Sequence, residues 1–248
     1  MKEVMQMVDT HAHINSRDLK NVRDEIKRIN NLEYLDQLIN VGLDDDTNKE
    51  VLKIANENEK FYAALGIHPL HSGSVESIYE LAKRYDFKKV VAIGETGFDY
   101  QGDIDSQKKK FMESIELAND LGLPIIIHAN GMNREALDLI KGYPPKHSFV
   151  FHCFEPDLDI LKEIMKLNGF ISVGTPITKT NAKKSLDVIR EVDINNLLIE
   201  LDYPYMIIDK EKDGINVFHR IQSIRSYSHE ELEFILDNNA KRLFKKLN

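Results

Sequence analysis

Residues 111–128 read FMESIELANDLGLPIIIH, and the architecture turns on this stretch. Phe111, Ile115 and Ala118 recur at offsets of four and three, which draws one apolar stripe along a helix. Pro124–His128 then runs almost without a polar residue until the histidine that closes it. Such a run is expected of a strand buried on both faces of a parallel sheet. A helix that feeds a buried strand is the repeating unit of an α/β fold.

The same alternation extends in both directions. Candidate strands are Met7–His11, Tyr34–Val41, Tyr62–Ile67, Val90–Gly94, Pro124–His128, Ser148–His152, Phe170–Gly174 and Leu197–Glu200. Leu19, Val22, Ile26 and Ile29 draw a further helical stripe. Ser228 with Glu231 has the spacing of a capping box ahead of a stripe through Leu232, Ile235, Leu236, Ala240 and Leu243. Eight units shared among 248 residues leave 31 apiece, the length of one strand plus one helix. The expected fold is therefore a (β/α)8 TIM barrel in one domain, residues 1–248. A doubly wound open sheet gives the same alternation and stays open at this point.

Composition narrows the function classes. Hydrophobic residues make up 42% of the chain, enough for a sizeable core. A net charge of −8 argues against coating nucleic acid or an anionic membrane by bulk electrostatics. It leaves room for a local phosphate pocket. Cys153 is the single cysteine, so an intramolecular disulfide is excluded. No apolar run approaches the ~20 residues that span a bilayer, and Met1–Met5 leads into no signal-like apolar segment. The expected location is the cytoplasm.

In a barrel the active site lies at the C-terminal ends of the strands. The polar residues there are His11 and His13, His68, Glu95, His128, His152 and Asp202. Alternation places His11 and His13 on the same side. Taken singly, a histidine at a strand end is usually a hydrogen-bonded structural residue, and a lone Glu or Asp a cap or ion-pair partner. Together these groups converge on one barrel mouth, where each unsatisfied one costs roughly 1–3 kcal/mol. A bound cation satisfies them jointly. His11, His13, Glu95, His128, His152 and Asp202 exceed the needs of one tetrahedral ion with an open position. Two divalent ions bridged by Glu95 use the set economically. Imidazole and carboxylate donors suit Zn, Mn, Ni or Fe, with Mg at a water-rich site.

Asp9-Thr10-His11-Ala12-His13, Gly66-Ile67-His68-Pro69 and Ile93-Gly94-Glu95-Thr96-Gly97-Phe98-Asp99-Tyr100 resemble the motifs of the TatD-type metal-dependent hydrolases. So do Gln107 with Phe111, Leu123–His128, Phe151-His152-Cys153-Phe154, Glu200–Tyr205 and Asn239–Phe244. The resemblance implies an amidohydrolase-like barrel that cleaves DNA, commonly from an end, with divalent metal. It implies that His11 and His13 bind a first metal, that Glu95 bridges, and that His128 and His152 bind a second. Asp202 would complete the first site and act as general base, and His68 would contact the substrate phosphate.

Some positions depart from the family pattern. Asn130 stands where an arginine is usual, with Arg134 nearby as a substitute or a solvent-facing residue. Glu155-Pro156-Asp157 replaces a small hydroxyl and glycine, and Leu201 and Tyr203 replace Thr and Ser. These changes leave the ligands and alter the pocket. A phosphodiesterase acting on a DNA end or small phosphoester is thus expected, with no extended nucleic-acid track. The same centre acting on a small amide, ester or phosphomonoester is the alternative, and a non-catalytic metal-binding scaffold a third. Cys153, next to His152, is expected to turn away from the mouth as a packing residue. Lys108–Lys110, Lys183-Lys184 and Lys245-Lys246 read as solvated helix surface, and Asp44–Asp46 as a loop and helix start.

Overall fold

A computed structural model describes residues 5–15, 19–207, 209 and 211–247. The first half alternates β1 (Met7–Ala12), α1 (Val22–Asn30), β2 (Leu35–Val41), α2 (Asp45–Glu57), β3 (Phe61–Leu65), α3 (Val75–Arg84), β4 (Val90–Asp99) and α4 (Ile104–Leu121). The second half continues with β5 (Ile125–Asn130), α5 (Asn133–Gly142), β6 (Phe149–Phe151), α6 (Leu158–Lys166), β7 (Phe170–Val173), α7 (Lys183–Glu191) and β8 (Leu197–Ile199). Two helices, α8 (Asp213–Arg225) and α9 (His229–Leu243), follow the last strand.

The strands lie in sequence order, and all seven neighbouring pairs are parallel. That order excludes a doubly wound sheet, whose strand order reverses at a switch point. The ends meet at the top, where Ala12 bridges Tyr203 and the Asp202 amide donates to the His11 carbonyl at 2.9 Å. The fold is a (β/α)8 barrel. Each predicted strand is present, with one large change: β4 continues five residues past Gly94, to Asp99.

Local chemistry explains the helices that set the frame. Asp44 caps α2, accepting from the Thr47 amide at 2.9 Å while Thr47 Oγ1 accepts from the Asp44 amide. The acidic run is thus a helix start, as read. Ser228 and Glu231 form the expected box at α9, and α4 stops at Gly122 in the left-handed region at φ 70°.

Two apolar layers result. Phe111, Ile115 and Ala118 of α4 are fully buried in the layer between helices and strands. Inside the barrel, Val8, Ile39, Tyr62, Ile126, Val150, Phe170 and Leu198 pack together with Leu243, Phe244 and Leu247. The end of α9 therefore plugs the N-terminal pole and leaves the C-terminal pole for chemistry. No helix among the described residues is long and apolar enough to cross a membrane.

Candidate metal centre

Strand parity delivers two of the ligands. Ile126 and Val150 face the barrel interior, so His128 and His152 follow on the same face. Asp202, by contrast, lies three residues past the end of β8 at φ 47° and is tied in by its amide donating to the His11 carbonyl. β1 breaks this parity. Its pairing with β2 shifts register between Asp9 and Ala12, and past that shift His11 and His13 turn inward although Val8 already does. Asp9 holds the irregular segment, because its Oδ1 accepts from the His11 amide at 3.2 Å and the Leu201 amide at 3.0 Å.

The groups converge on Glu95. Its Oε2 lies 3.2 Å from His11 Nε2 and 3.5 Å from His13 Nε2. Its Oε1 lies 2.6 Å from His128 Nδ1, 2.8 Å from His152 Nε2 and 3.7 Å from His68 Nε2. Asp202 Oδ1 is 3.4 Å from His13 Nε2. All seven expected site residues are thus brought together. The sets His11–Glu95–His152 and His11–His13–Asp202 each keep their ligand atoms within 4.8 Å of one another.

Hydrogen bonds on the outer ring nitrogens set the tautomers. His13 Nδ1 faces the Val41 carbonyl at 3.0 Å, so it carries the proton and Nε2 aims a lone pair inward. His128 Nε2 faces Asp99 Oδ2 at 3.1 Å, which leaves the Nδ1 lone pair directed at Glu95. His128 thus stands between two carboxylates, Asp99 on its outer side and Glu95 at 2.6 Å on its inner side. His68 differs. Its Nδ1 accepts from the Leu70 amide at 3.1 Å, so Nε2 presents an N–H to the site and not a ligand lone pair. The donor set therefore fits divalent metal through His11, His13, His128, His152, Glu95 and Asp202, with His68 as a hydrogen-bond donor beside it.

Charge follows the same logic. Burial opposes ionisation of Glu95, but the His152, His68 and His11 imidazoles outweigh it and hold the carboxyl well below its usual range. Asp202 is likewise held low, burial being overcome by His13 and the neighbouring histidines. His68 is pushed down to about 4, mainly by burial. Asp9 goes the other way. Burial, with Glu200 and Asp202 adding to it, raises its carboxyl to about 8 despite two backbone donors.

Three supporting carboxyls escaped the strand-end reading. Asp99 accepts from His128 and from Asn130 Nδ2 at 2.9 Å, and its signal was the continuation of β4. Glu200 Oε1 accepts from the Cys153 amide at 2.5 Å and lies 3.7 Å from His152 Nδ1, while Oε2 accepts from Ser172 at 2.5 Å. Its signal was the two-residue spacing from Asp202. Asp9 lies two residues before His11 in the first motif.

A cavity of about 230 Å³ opens beside the centre, lined by His128, Asn130, His152, Cys153, Glu155, Asp202 and Met206 among others. Cys153 corrects an expectation. β6 ends at Phe151, so alternation no longer governs, and Cys153 at φ 44° faces this cavity with Sγ 3.4 Å from Met206 Sδ. Burial beside Glu200 raises its thiol far above the usual range, which leaves it protonated. Asn130 is spent on Asp99, and Arg134 pairs with Glu163 at 2.8 Å on the helical surface, so neither replaces an arginine at the mouth. Asp157 caps α6, whereas Glu155 lines the cavity. Leu201 and Tyr203 are buried at the β1–β8 seam. Lys108, Lys109, Lys183 and Lys184 are exposed as expected, but Lys110 turns inward and donates to the Pro69 and His71 carbonyls at 3.0 Å, bracing the loop that carries His68.

Comparison with known proteins adds the lineage. Residues 8–245 match the family model described as TatD related DNase. The uncharacterized metal-dependent hydrolase YabD of Bacillus subtilis is 32% identical over 96% of this chain and 99% of its own length. The corresponding protein MJ1582 of Methanocaldococcus jannaschii is 28% identical over 99% of both chains. Among solved structures, the Escherichia coli TatD homologue YjjV superposes with a TM-score of 0.88 at 27% identity, covering 98% of this chain and 99% of that one. A hydrolase from Entamoeba histolytica, at 19% identity and a TM-score of 0.82 over 98% and 99% of the two chains, shares the fold. With the barrel, the histidine–carboxylate cluster and these matches together, the chain belongs to the TatD family of metal-dependent hydrolases.

Proposed function

We propose that this chain hydrolyses phosphodiesters, DNA ends foremost, with two divalent ions held on either side of Glu95. The division of the Glu95 oxygens carries the reading, since Oε2 serves His11 and His13 while Oε1 serves His128 and His152. His11, His13 and Asp202 would hold one ion and His128 with His152 the other, both sharing Glu95. Zn, Mn, Ni or Fe suit these donors, and Mg a water-rich site. When bound, such ions lower the pKa of water towards about 7 and neutralise phosphoryl charge.

The protein's own groups supply the rest. Asp202 stays ionised and lines the cavity, positioned to take a proton from the attacking water. His68 offers its Nε2–H to a non-bridging phosphoryl oxygen. Asp99 orients His128 from behind, and the Glu200 carboxylate lies 3.7 Å behind His152. The family model's own description supports DNA as the substrate.

A second reading keeps the centre and takes a small ester, amide or phosphomonoester. It is favoured by Glu155, whose carboxylate faces the cavity and repels a polyanion. Metal analysis with a panel of single-stranded DNA, duplex DNA, phosphomonoesters and amides separates the two. The proposal expects close to two ions per chain, cleavage of DNA from an end, and loss of turnover with retained metal in Asp202→Asn. Turnover of amides alone would transfer the site to the second reading. Wild-type protein without bound metal at micromolar supply would refute both.

A further inference from the structure

A second cavity opens at the opposite pole of the barrel, between the end of α9 and the entries to β5 and β6. It measures about 300 Å³, within the range of small-molecule sites. Lys146, His147, Arg242, Lys245 and Lys246 line it, and no carboxylate among the described residues does. Several lysines elsewhere on the surface face a carboxylate. Lys49 pairs with Asp46, Lys83 with Glu80, Lys109 with Glu113, Lys141 with Glu163, Lys162 with Asp159 and Lys241 with Asp237. In a chain with 41 acidic and 33 basic residues, four cations gather around this one cavity and repel one another.

Two of the cations are held in place with donors to spare. Arg242 donates through Nη2 to the Asn195 carbonyl and to Asn196 Oδ1, and its guanidinium lies 4.9 Å from the Phe170 ring centroid. Its remaining N–H groups are available to a ligand. Lys246 Nζ gives one hydrogen bond to the Phe87 carbonyl at 2.9 Å and keeps two donors. Asp86, the carboxylate that acts on Lys246, is already engaged by Lys88 at 3.1 Å. The Lys146 and Lys245 ammonium groups make no hydrogen bond or ion pair among the described residues. Beneath them Leu123, Pro124 and Leu243 form an apolar floor.

We propose that this cleft binds a small phosphorylated molecule, with its phosphate among Lys146, Arg242, Lys245 and Lys246 and its apolar body on Leu123, Pro124 and Leu243. A phosphate dianion matches the concentration of cations and the planar fork of the arginine. A nucleic-acid strand fits less well, because a single cluster of cations suits one phosphate and not a track of them. The bound anion would tie the segment that plugs the barrel to the loop entering β6.

The test follows the imidazole resonances of His147 by NMR in metal-loaded protein, assigned with His147→Gln, during titration with AMP, inorganic phosphate and adenosine. His147 reports this pole alone, so binding of phosphate at the metal centre does not interfere. AMP should shift His147 saturably, inorganic phosphate about tenfold more weakly, and adenosine not at all. Lys146→Ala with Lys245→Ala should weaken the AMP response about tenfold or more. Both lysines are exposed, so folding and turnover at the far pole should hold. Failure of AMP to move His147, or an unchanged response in the double variant, overturns the site. Inorganic phosphate binding as tightly as AMP overturns the role of the apolar floor.

Discussion

Asp99→Asn tests the support of the metal centre with almost no change of shape. In the wild type, Asp99 Oδ2 accepts from His128 Nε2 at 3.1 Å and from Asn130 Nδ2 at 2.9 Å, and Oδ1 accepts from the Gln101 amide at 2.9 Å. Every partner is a donor. An asparagine brings one oxygen and one NH2, so one of its two ends must oppose an N–H. If the oxygen keeps His128, the contact loses its charge and the NH2 meets the Gln101 amide. If it turns round, the imidazole loses its acceptor and is free to change tautomer. Loss of a charge-assisted hydrogen bond costs about 1.5–3 kcal/mol, or roughly ten- to a hundredfold in metal affinity or activity, the usual effect of such outer partners. Competition with a chromophoric chelator measures the affinity, and kcat/KM on a simple phosphodiester measures the chemistry. Far-UV circular dichroism should be unchanged. Metal affinity and turnover both within twofold of wild type would refute the claim that Asp99 sets the His128 tautomer.

Three other substitutions probe the frame. Phe244→Ala empties the plug of the barrel, where the ring is fully buried, and should cost about 3–5 kcal/mol in denaturant unfolding; a loss under about 1 kcal/mol would contradict the plug. Gly97→Ala places a Cβ against the His128 carbonyl oxygen at a φ of 140°, so destabilisation of at least about 1–3 kcal/mol with weakened metal binding is expected, and a wild-type melting curve would count against it. Asp44→Ala should cost about 1 kcal/mol at neutral pH through loss of the α2 cap. Burial raises the Asp44 carboxyl, but the Thr47 amide and hydroxyl and His71 overcome it and hold it below the usual range. Its contribution is therefore complete above the ordinary carboxylate pKa and fades as pH falls through the lowered folded value. The gap between wild type and variant should narrow on acidification; a gap independent of pH would exclude the cap as its source.

Much of this protein can be read without coordinates. The apolar runs and helical stripes specify eight strand–helix units, and the polar residues that follow six of the runs mark the pole where chemistry occurs. Parity along β5 and β6 carries His128 and His152 inward because side-chain period on a strand is a local property. The capping boxes at Asp44 and Ser228 are local too.

Other features depend on the fold alone. The register shift in β1 that turns His11 and His13 inward arises from pairing with β2 and from Asp9 reaching the Leu201 amide 192 residues away. The tautomers of His13, His128 and His68 are set by Val41, Asp99 and Leu70, partners whose approach only the folded chain defines. The orientation of Cys153 escaped alternation because β6 stops two residues short of it. The basic cleft joins residues 146–147 to residues 242–246, and in sequence each cluster looks like ordinary solvated surface. Local pattern determined which elements form and which face of each is polar. Which polar groups meet, and which nitrogen of each imidazole holds the proton, was decided by long-range packing, because those depend on distances between atoms far apart in the chain.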